Sequence, residues 1–217
     1  MNPAELVQGS PEWLAFRCGK FGASVAHPLV ALKGEGKGRA TLIRVLAAER
    51  LSGIPQGFEG DDDTDFGHEQ EPLTRRAFQM EHGVFLERVG CIVHPTLPYL
   101  LASPDGIVPK EYGVEFKSHR RAVKFLEMVE GKIPRAHEVQ CQVGMACTGL
   151  PRWAYNNWCP QMPEGRQLVT RWIERDNKLI ADIEREVEAA EREVLAKVRQ
   201  WTPQDIEALL RASLEPA

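Results

Sequence analysis

Residues 103 to 117 read Ser-Pro-Asp-Gly-Ile-Val-Pro-Lys-Glu-Tyr-Gly-Val-Glu-Phe-Lys. Asp105 closes one apolar run, Tyr99-Leu100-Leu101-Ala102, and Glu115 and Lys117 stand two apart on the next. Alternate residues of a strand share a face, so this carboxylate and ammonium project together while Phe116 points away. Two hard oxygen ligands beside one cation are what a divalent metal and an attacking water need for phosphodiester hydrolysis. Buried acids are costly without counter-charge, so a metal, the lysine or both are expected there. Asp-Gly is also a common turn and Glu-x-Lys a common pair on exposed strands, so the triplet needs its context.

Composition narrows that context. A length of 217 residues, 43% hydrophobic and 27% charged, fits one globular domain. No apolar run reaches the roughly 20 residues that span a bilayer, and the N-terminus lacks the pattern of a signal peptide, so a cytoplasmic protein is expected. Five scattered cysteines (Cys18, Cys91, Cys141, Cys147, Cys159) with no Cys-x-x-Cys argue against a disulfide framework, a zinc site or an iron–sulfur cluster. Net charge is −4, yet it is unevenly spread. Residues 17–50 carry seven basic side chains against two acids, 117–135 carry six against two, and 59–71 hold seven acids with no Lys or Arg. Such local basic surfaces suit phosphates, although basic runs are also ordinary solvated faces.

The elements that must position these residues can be read in order. Residues 10–17 form a helix capped by Ser10 with Pro11 in its first turn. A second short helix starts within 21–24, 33–38 is a flexible basic loop, 41–51 is helical, and 52–65 is an acidic loop. The spacing of Leu73, Ala77 and Met80 gives a helix over 73–83, stopped by Gly83. Strands are expected at 85–93, 99–102, 107–108 and 113–117, then helices at 122–130 and 135–147. Late strands fall at 153–158 and 168–174. The spacing of Leu179, Ile183, Val187, Val194 and Val198 predicts a charged helix over about 176–199 with a narrow apolar stripe. The result is an α/β fold, a central mixed β-sheet flanked by helices.

Four ordered segments carry a resemblance to a known family. Ser103-Pro104-Asp105-Gly106 with Glu115-Phe116-Lys117 resembles the PD-(D/E)xK nuclease core. Gly67-His-Glu-Gln-Glu71-Pro-Leu-Thr-Arg75 resembles an upstream acidic helix motif, and Val139-Gln140-Cys-Gln142-Val-Gly-Met145 a paired-glutamine helix. Trp13-Leu-Ala-Phe-Arg17-Cys-Gly-Lys-Phe-Gly-Ala-Ser24 is similar to an N-terminal phosphate-binding segment. Together, over roughly residues 10–175, they resemble the lambda exonuclease (YqaJ-like viral recombinase) family.

The resemblance implies a single PD-(D/E)xK exonuclease domain over 1–217 with a restriction-endonuclease-like core. It implies a 5′→3′ exonuclease on linear double-stranded DNA that releases mononucleotides for phage-type recombination. Mg²⁺ would be the cofactor, with Mn²⁺ able to substitute. The partners implied are duplex DNA with a 5′-phosphate end, a single-strand annealing protein, and two further copies of the chain in a trimeric ring. Asp105, Glu115, Glu71 and the Phe116 carbonyl would hold metal. Lys117 would orient the attacking water, and Gln140 would hold water or phosphate. Arg17, Ser24 and Ser103 match the pocket for the terminal 5′-phosphate.

Several alternatives stay open on the residues alone. Glu69 competes with Glu71 as the helix acid, because Pro72 disturbs that helix start. Ser24 also reads as a helix cap. Trp13 reads as core. His68, His119 and His137 read as structural, with His137, one turn before Gln140, as a support behind the site. The acidic stretch 60–65 stands where the family places an apolar wedge, so either the wedge is supplied elsewhere, by Phe58 or Phe66, or strand separation works differently here. An endonuclease on the same core, or a catalytically silent DNA-binding recombination partner, are the competing functions.

Overall fold

The computed structural model describes residues 2–30, 36–56 and 62–202. Seven helices and seven strands are described. The helices are α1 (Pro11–Arg17), α2 (His27–Val30), α3 (Gly36–Ser52), α4 (Asp62–His82), α5 (Ala122–Glu130), α6 (Arg135–Thr148) and α7 (Asn177–Trp201). The strands are β1 (Phe21–Gly22), β2 (Ile92–Val93), β3 (Leu100–Ala102), β4 (Gly106–Val108), β5 (Tyr112–Ser118), β6 (Arg152–Trp158) and β7 (Leu168–Glu174). The expected mixed α/β architecture is present, and its strands form two mixed sheets, β1-β3-β2 and β4-β5-β6-β7.

In the larger sheet β5 and β6 run parallel while the outer pairs are antiparallel. A parallel pair needs a long crossover, and α5 and α6 supply it. Tyr112 through Phe116 are buried on both faces of β5. Tyr112, Val114 and Phe116 pack with Phe78 of α4, while Glu115 and Lys117 turn toward α6. The predicted alternation along this strand therefore holds.

The indole of Trp153 on β6 fixes the spacing between β5 and α6. A Cβ on Gly113 would approach it to 2.3 Å and one on Gly144 to 2.6 Å, so only glycine fits at either place. Helix α7 buries Leu179, Ile183, Val187, Ala190 and Val194 against a core that includes Leu42, Ile43 and Leu46 of α3. Each of the Leu, Ile and Val side chains contributes about 1.5–3 kcal/mol on full burial. Its start is capped by Asp176, which accepts from the Lys178 and Leu179 N–H groups at 3.0 Å each. Arg39 pairs with Glu186 and Glu193, and Arg50 with Glu191 in a two-pronged contact, holding α3 to α7.

Several elements differ from expectation. Residues 62–65 belong to α4 rather than to a loop, and Pro72 lies inside that helix. Phe21-Gly22 is a strand, paired in parallel with Leu100-Leu101, not the start of a helix. Within 85–93 only Ile92-Val93 forms a strand, with Glu87 making an isolated bridge to Ile107. Of the loop expected at 33–38, Gly36 already opens α3, and 33–35 lie outside the described residues, as does Phe58. The five cysteines are free thiols, and no described helix is long and apolar enough to cross a membrane.

Candidate active site

The site is built where β4 stops short of its neighbour. Their last pair is Gly106 with Val114, and β5 continues past it to Ser118. Asp105, just before β4, occupies the vacated edge. Its N–H donates to the Val114 carbonyl (3.1 Å), and its Oδ2 accepts from the Phe116 N–H (2.6 Å). In an extended strand the N–H and C=O of one residue point to the same side. The Phe116 carbonyl therefore also faces Asp105, as a main-chain ligand must.

On the other face, Glu115 Oε1 lies 2.8 Å from Lys117 Nζ and accepts from Gln140 Nε2 at 2.7 Å. Gln140 Oε1 in turn accepts from Lys117 Nζ at 3.1 Å. Helix α4 delivers Glu71, which pairs with Arg75 one turn later (2.9 Å). Arg75 Nη2 also donates to the Asp105 carbonyl, tying the helix to the strand edge. Glu69 is exposed, whereas Glu71 is half-buried and lines the site, so Glu71 is the acid that the structure places with Asp105 and Glu115.

These groups share one cavity of about 410 Å³, bordered by Glu71, Asp105, Glu115, Phe116, Lys117 and His137. A second cavity of about 410 Å³ meets it at Glu71, Asp105 and Gln8 and is lined further by Arg75 and Arg88. The acids thus form a partition open on two sides.

Burial raises the Asp105 pKa well above the usual carboxylate range. Glu115 adds to the rise and Glu71 adds less, while the Phe116 N–H and Lys117 oppose it. Burial alone would lower the pKa of Lys117, but Glu115, by charge and hydrogen bond, and then Asp105 outweigh it and hold the ammonium above its normal value. Three carboxyl groups therefore crowd around Lys117 and Arg75, and Asp105 responds by holding its proton more tightly. Hard oxygens suit a divalent cation of the Mg²⁺ or Ca²⁺ type, whose charge would offset that crowding. Among the described residues no three His, Cys, Asp or Glu side chains close into a cage. The carboxylates line an open cavity, and Mg²⁺ typically keeps several waters and substrate oxygens as ligands.

The residues matched to a phosphate pocket come together in part. Arg17 Nη1 donates to Ser103 Oγ at 2.9 Å, and its guanidinium lies 4.3 Å from the centre of the Trp13 ring. Trp13 is buried, as expected, but its Nε1–H also donates to Ser103 Oγ (3.2 Å). A Cβ on Gly22 would meet Arg17 Nη2 at 2.8 Å, so glycine leaves the guanidinium its room. Among the described residues Ser24 caps no helix; it lies exposed within the 3-10 turn Ala23–Val25. Phe66 lies on α4 with the Arg120 guanidinium 4.5 Å from its ring centre.

Sequence reasoning missed Arg75 as the tie between α4 and Asp105, although its position four after Glu71 was a signal. It also missed Tyr155, whose hydroxyl lies 2.8 Å from His137 Nδ1, and it set His137 behind the site when that residue borders the cavity.

Residues 12–151 match the family profile described as a YqaJ-like viral recombinase domain. No curated protein matches the chain. Among solved structures, the alkaline exonuclease LHK-Exo from Laribacter hongkongensis is 32% identical, with a TM-score of 0.82 over 93% of this chain and 100% of its own. The structure of LHK-Exo in complex with dAMP is similar at 30% identity, with a TM-score of 0.82 over 92% of this chain and 100% of its own. A phage-related exonuclease from Haemophilus somnus 129PT shares the fold at 19% identity, with a TM-score of 0.71 over 84% of this chain and 96% of its own.

Proposed function

The chain belongs to the YqaJ-like viral recombinase family, and we propose that it is a Mg²⁺-dependent 5′→3′ exonuclease on linear double-stranded DNA. It is a nuclease of the lambda exonuclease type; the direction, the duplex substrate and the ion are the finer reading. One observation carries it: Glu71 of α4, Glu115 and Lys117 of β5, and Asp105 just before β4 border a single cavity.

When bound, the divalent cation supplies a more acidic water and charge compensation for the leaving oxygen. Asp105, Glu115, Glu71 and the Phe116 carbonyl would hold it. Lys117 stays protonated beside Glu115, where it orients water and offsets phosphate charge. Gln140 fixes both of those side chains at once. Arg17 and Ser103 would take the terminal 5′-phosphate, since a guanidinium with a hydroxyl matches phosphate geometry. Holding that end sets which bond lies over the acids, so mononucleotides would leave and a 3′ single strand would remain.

In the same reading, one domain does the chemistry, three copies ring the duplex, and a single-strand annealing protein receives the product strand. The test is digestion of linear duplex with and without a 5′-phosphate, in Mg²⁺ and in EDTA. Mononucleotide release that needs the metal and favours the phosphorylated end is expected. Cleavage of closed circular DNA, or activity in chelator, would count against the reading.

A further inference from the structure

His137 sits three residues before Gln140 on α6, so both side chains share one face of the helix. That face borders the cavity beside Lys117 and Glu115. Behind His137 stands Tyr155 of β6, in register with Glu115. The Tyr155 hydroxyl lies 2.8 Å from His137 Nδ1, with ring centres 5.5 Å apart. Tyr155 is 0% exposed. A buried hydroxyl proton without an acceptor costs about 1–3 kcal/mol. Among the described residues, Nδ1 is the one hydrogen-bond partner recorded for this hydroxyl. Tyr155 therefore donates and Nδ1 accepts, which puts the imidazole proton on Nε2.

The ring stays neutral. Burial lowers its pKa, Lys117 and His119 lower it further, and it falls to about 4. The carboxylate on its own helix, Glu138, is engaged by Arg135 at 2.7 Å. An imidazole of this kind is too weak a base to activate water at neutral pH, and its Nε2 lone pair is already protonated. It is a donor without charge. That suits a site that must also admit a divalent cation, because an imidazolium beside Lys117 would repel the metal.

We propose that His137 donates Nε2–H to a non-bridging oxygen of the scissile phosphate and that Tyr155 is the positioning residue that fixes its tautomer. The inference rests on the exonuclease reading, which supplies the phosphate. Preorganised donors of this kind act where negative charge develops in the transition state.

Two measurements test it on the full-length protein. Nitrogen-15 imidazole NMR should show His137 as the Nε2–H tautomer, without titration between about pH 6 and 9. An Nδ1–H tautomer or an imidazolium overturns the proposal, whatever the protein cleaves. In Mg²⁺ on 5′-phosphorylated linear duplex, His137→Ala should lower kcat about tenfold to a hundredfold and leave KM nearly unchanged. His137→Gln, whose amide nitrogen reaches the place of Nε2, should recover most of that loss. Tyr155→Phe should fall between, and the Tyr155→Phe/His137→Ala double variant should be no slower than His137→Ala. Wild-type kcat in His137→Ala, no rescue by Gln, or additive losses would overturn the role. A wild-type protein that degrades no DNA in Mg²⁺ would instead sink the exonuclease reading.

Discussion

Lys117 Nζ and Glu115 Oε1 stand 2.8 Å apart on the same face of β5, and Gln140 bonds to both, so an acid, a cation and a neutral amide form one closed triangle. The Glu115 side chain is 7% exposed and that of Lys117 is 25% exposed. The acid therefore depends on the cation more than the cation depends on the acid.

Replacing Lys117 with Ala leaves a buried carboxylate facing Asp105 with only Gln140 beside it. Breaking a fully buried pair costs about 3–5 kcal/mol, and the partial exposure of the ammonium brings the expected loss to about 2 kcal/mol. Urea denaturation in EDTA should show that loss, and nuclease activity should fall at least about a hundredfold. A Glu115→Gln/Lys117→Met double variant should be equally inactive but more stable than Lys117→Ala, because no unpaired charge remains. If Lys117→Ala were as stable as the wild type, the triangle would not be what supports Glu115 in its buried place.

Asp105 gives a stability prediction with a definite sign. Its folded-state pKa is raised by burial, then by Glu115 and Glu71. A raised acid binds its proton more tightly in the folded state. Its contribution is complete below the unfolded value of about 3.9 and is lost as pH climbs through the folded value. In EDTA, Asp105→Asn should therefore melt higher than the wild type, by a margin that widens from about pH 4 toward neutrality. The same variant should be inactive. Added divalent cation should stabilise the wild type and not the variant. A margin that shrinks as pH rises would refute the crowding of negative charge at this site.

Much of this was legible because local pattern carried it. The helix at 122–130 and the strand at 168–174 match α5 and β7, and the face shared by Glu115 and Lys117 follows from strand periodicity. Phe21-Gly22 did not show itself as a strand because, among the described residues, it pairs with Leu100-Leu101, far along the chain. The stretch 85–93 has strand-like composition, but it pairs continuously only at Ile92-Val93, with Glu87 making a single bridge to Ile107 of β4. Pro72 hid the true length of α4: it removes one helical N–H, yet Thr74 and Gln70 on either side are hydrogen-bonded through Gln70's carbonyl and Trp158's indole. The Tyr155–His137 contact is set by the packing of α6 on β6, elements that no local window of residues brings together.

Arg17 should control recognition of the DNA end. Its guanidinium is braced by Ser103 at 2.9 Å and by the Trp13 ring at 4.3 Å, with Gly22 leaving it space. Arg17→Lys keeps a charge but loses the planar fork and the stacking. The preference for 5′-phosphorylated over 5′-hydroxyl duplex should drop about tenfold or more, while cleavage of the hydroxyl-ended duplex changes little. Initial rates on the two substrates at matched ends read this directly. An equal slowing on both would place Arg17 in the chemistry and not at the terminal phosphate.

Gly144 links packing to catalysis at a distance. A methyl there would stand 2.6 Å from the Trp153 ring, and the same end of that ring is crowded by Gly113, whose own Cβ would come within 2.3 Å. Trp153 is 2% exposed, so a shift of its ring must displace packed neighbours. Gly144→Ala must then push α6 away from β5, and Gln140, one turn earlier on that helix, loses its short contacts to Glu115 and Lys117. The overpacking should cost about 1–3 kcal/mol in denaturant. The displacement should lower kcat about tenfold or more although no group in the cavity has changed, since small misplacements of positioning side chains are expensive. Pairing Gly144→Ala with Trp153→Phe, which shortens the ring, should restore part of both losses. A Gly144→Ala protein with undiminished kcat would show that α6 can yield without disturbing Gln140.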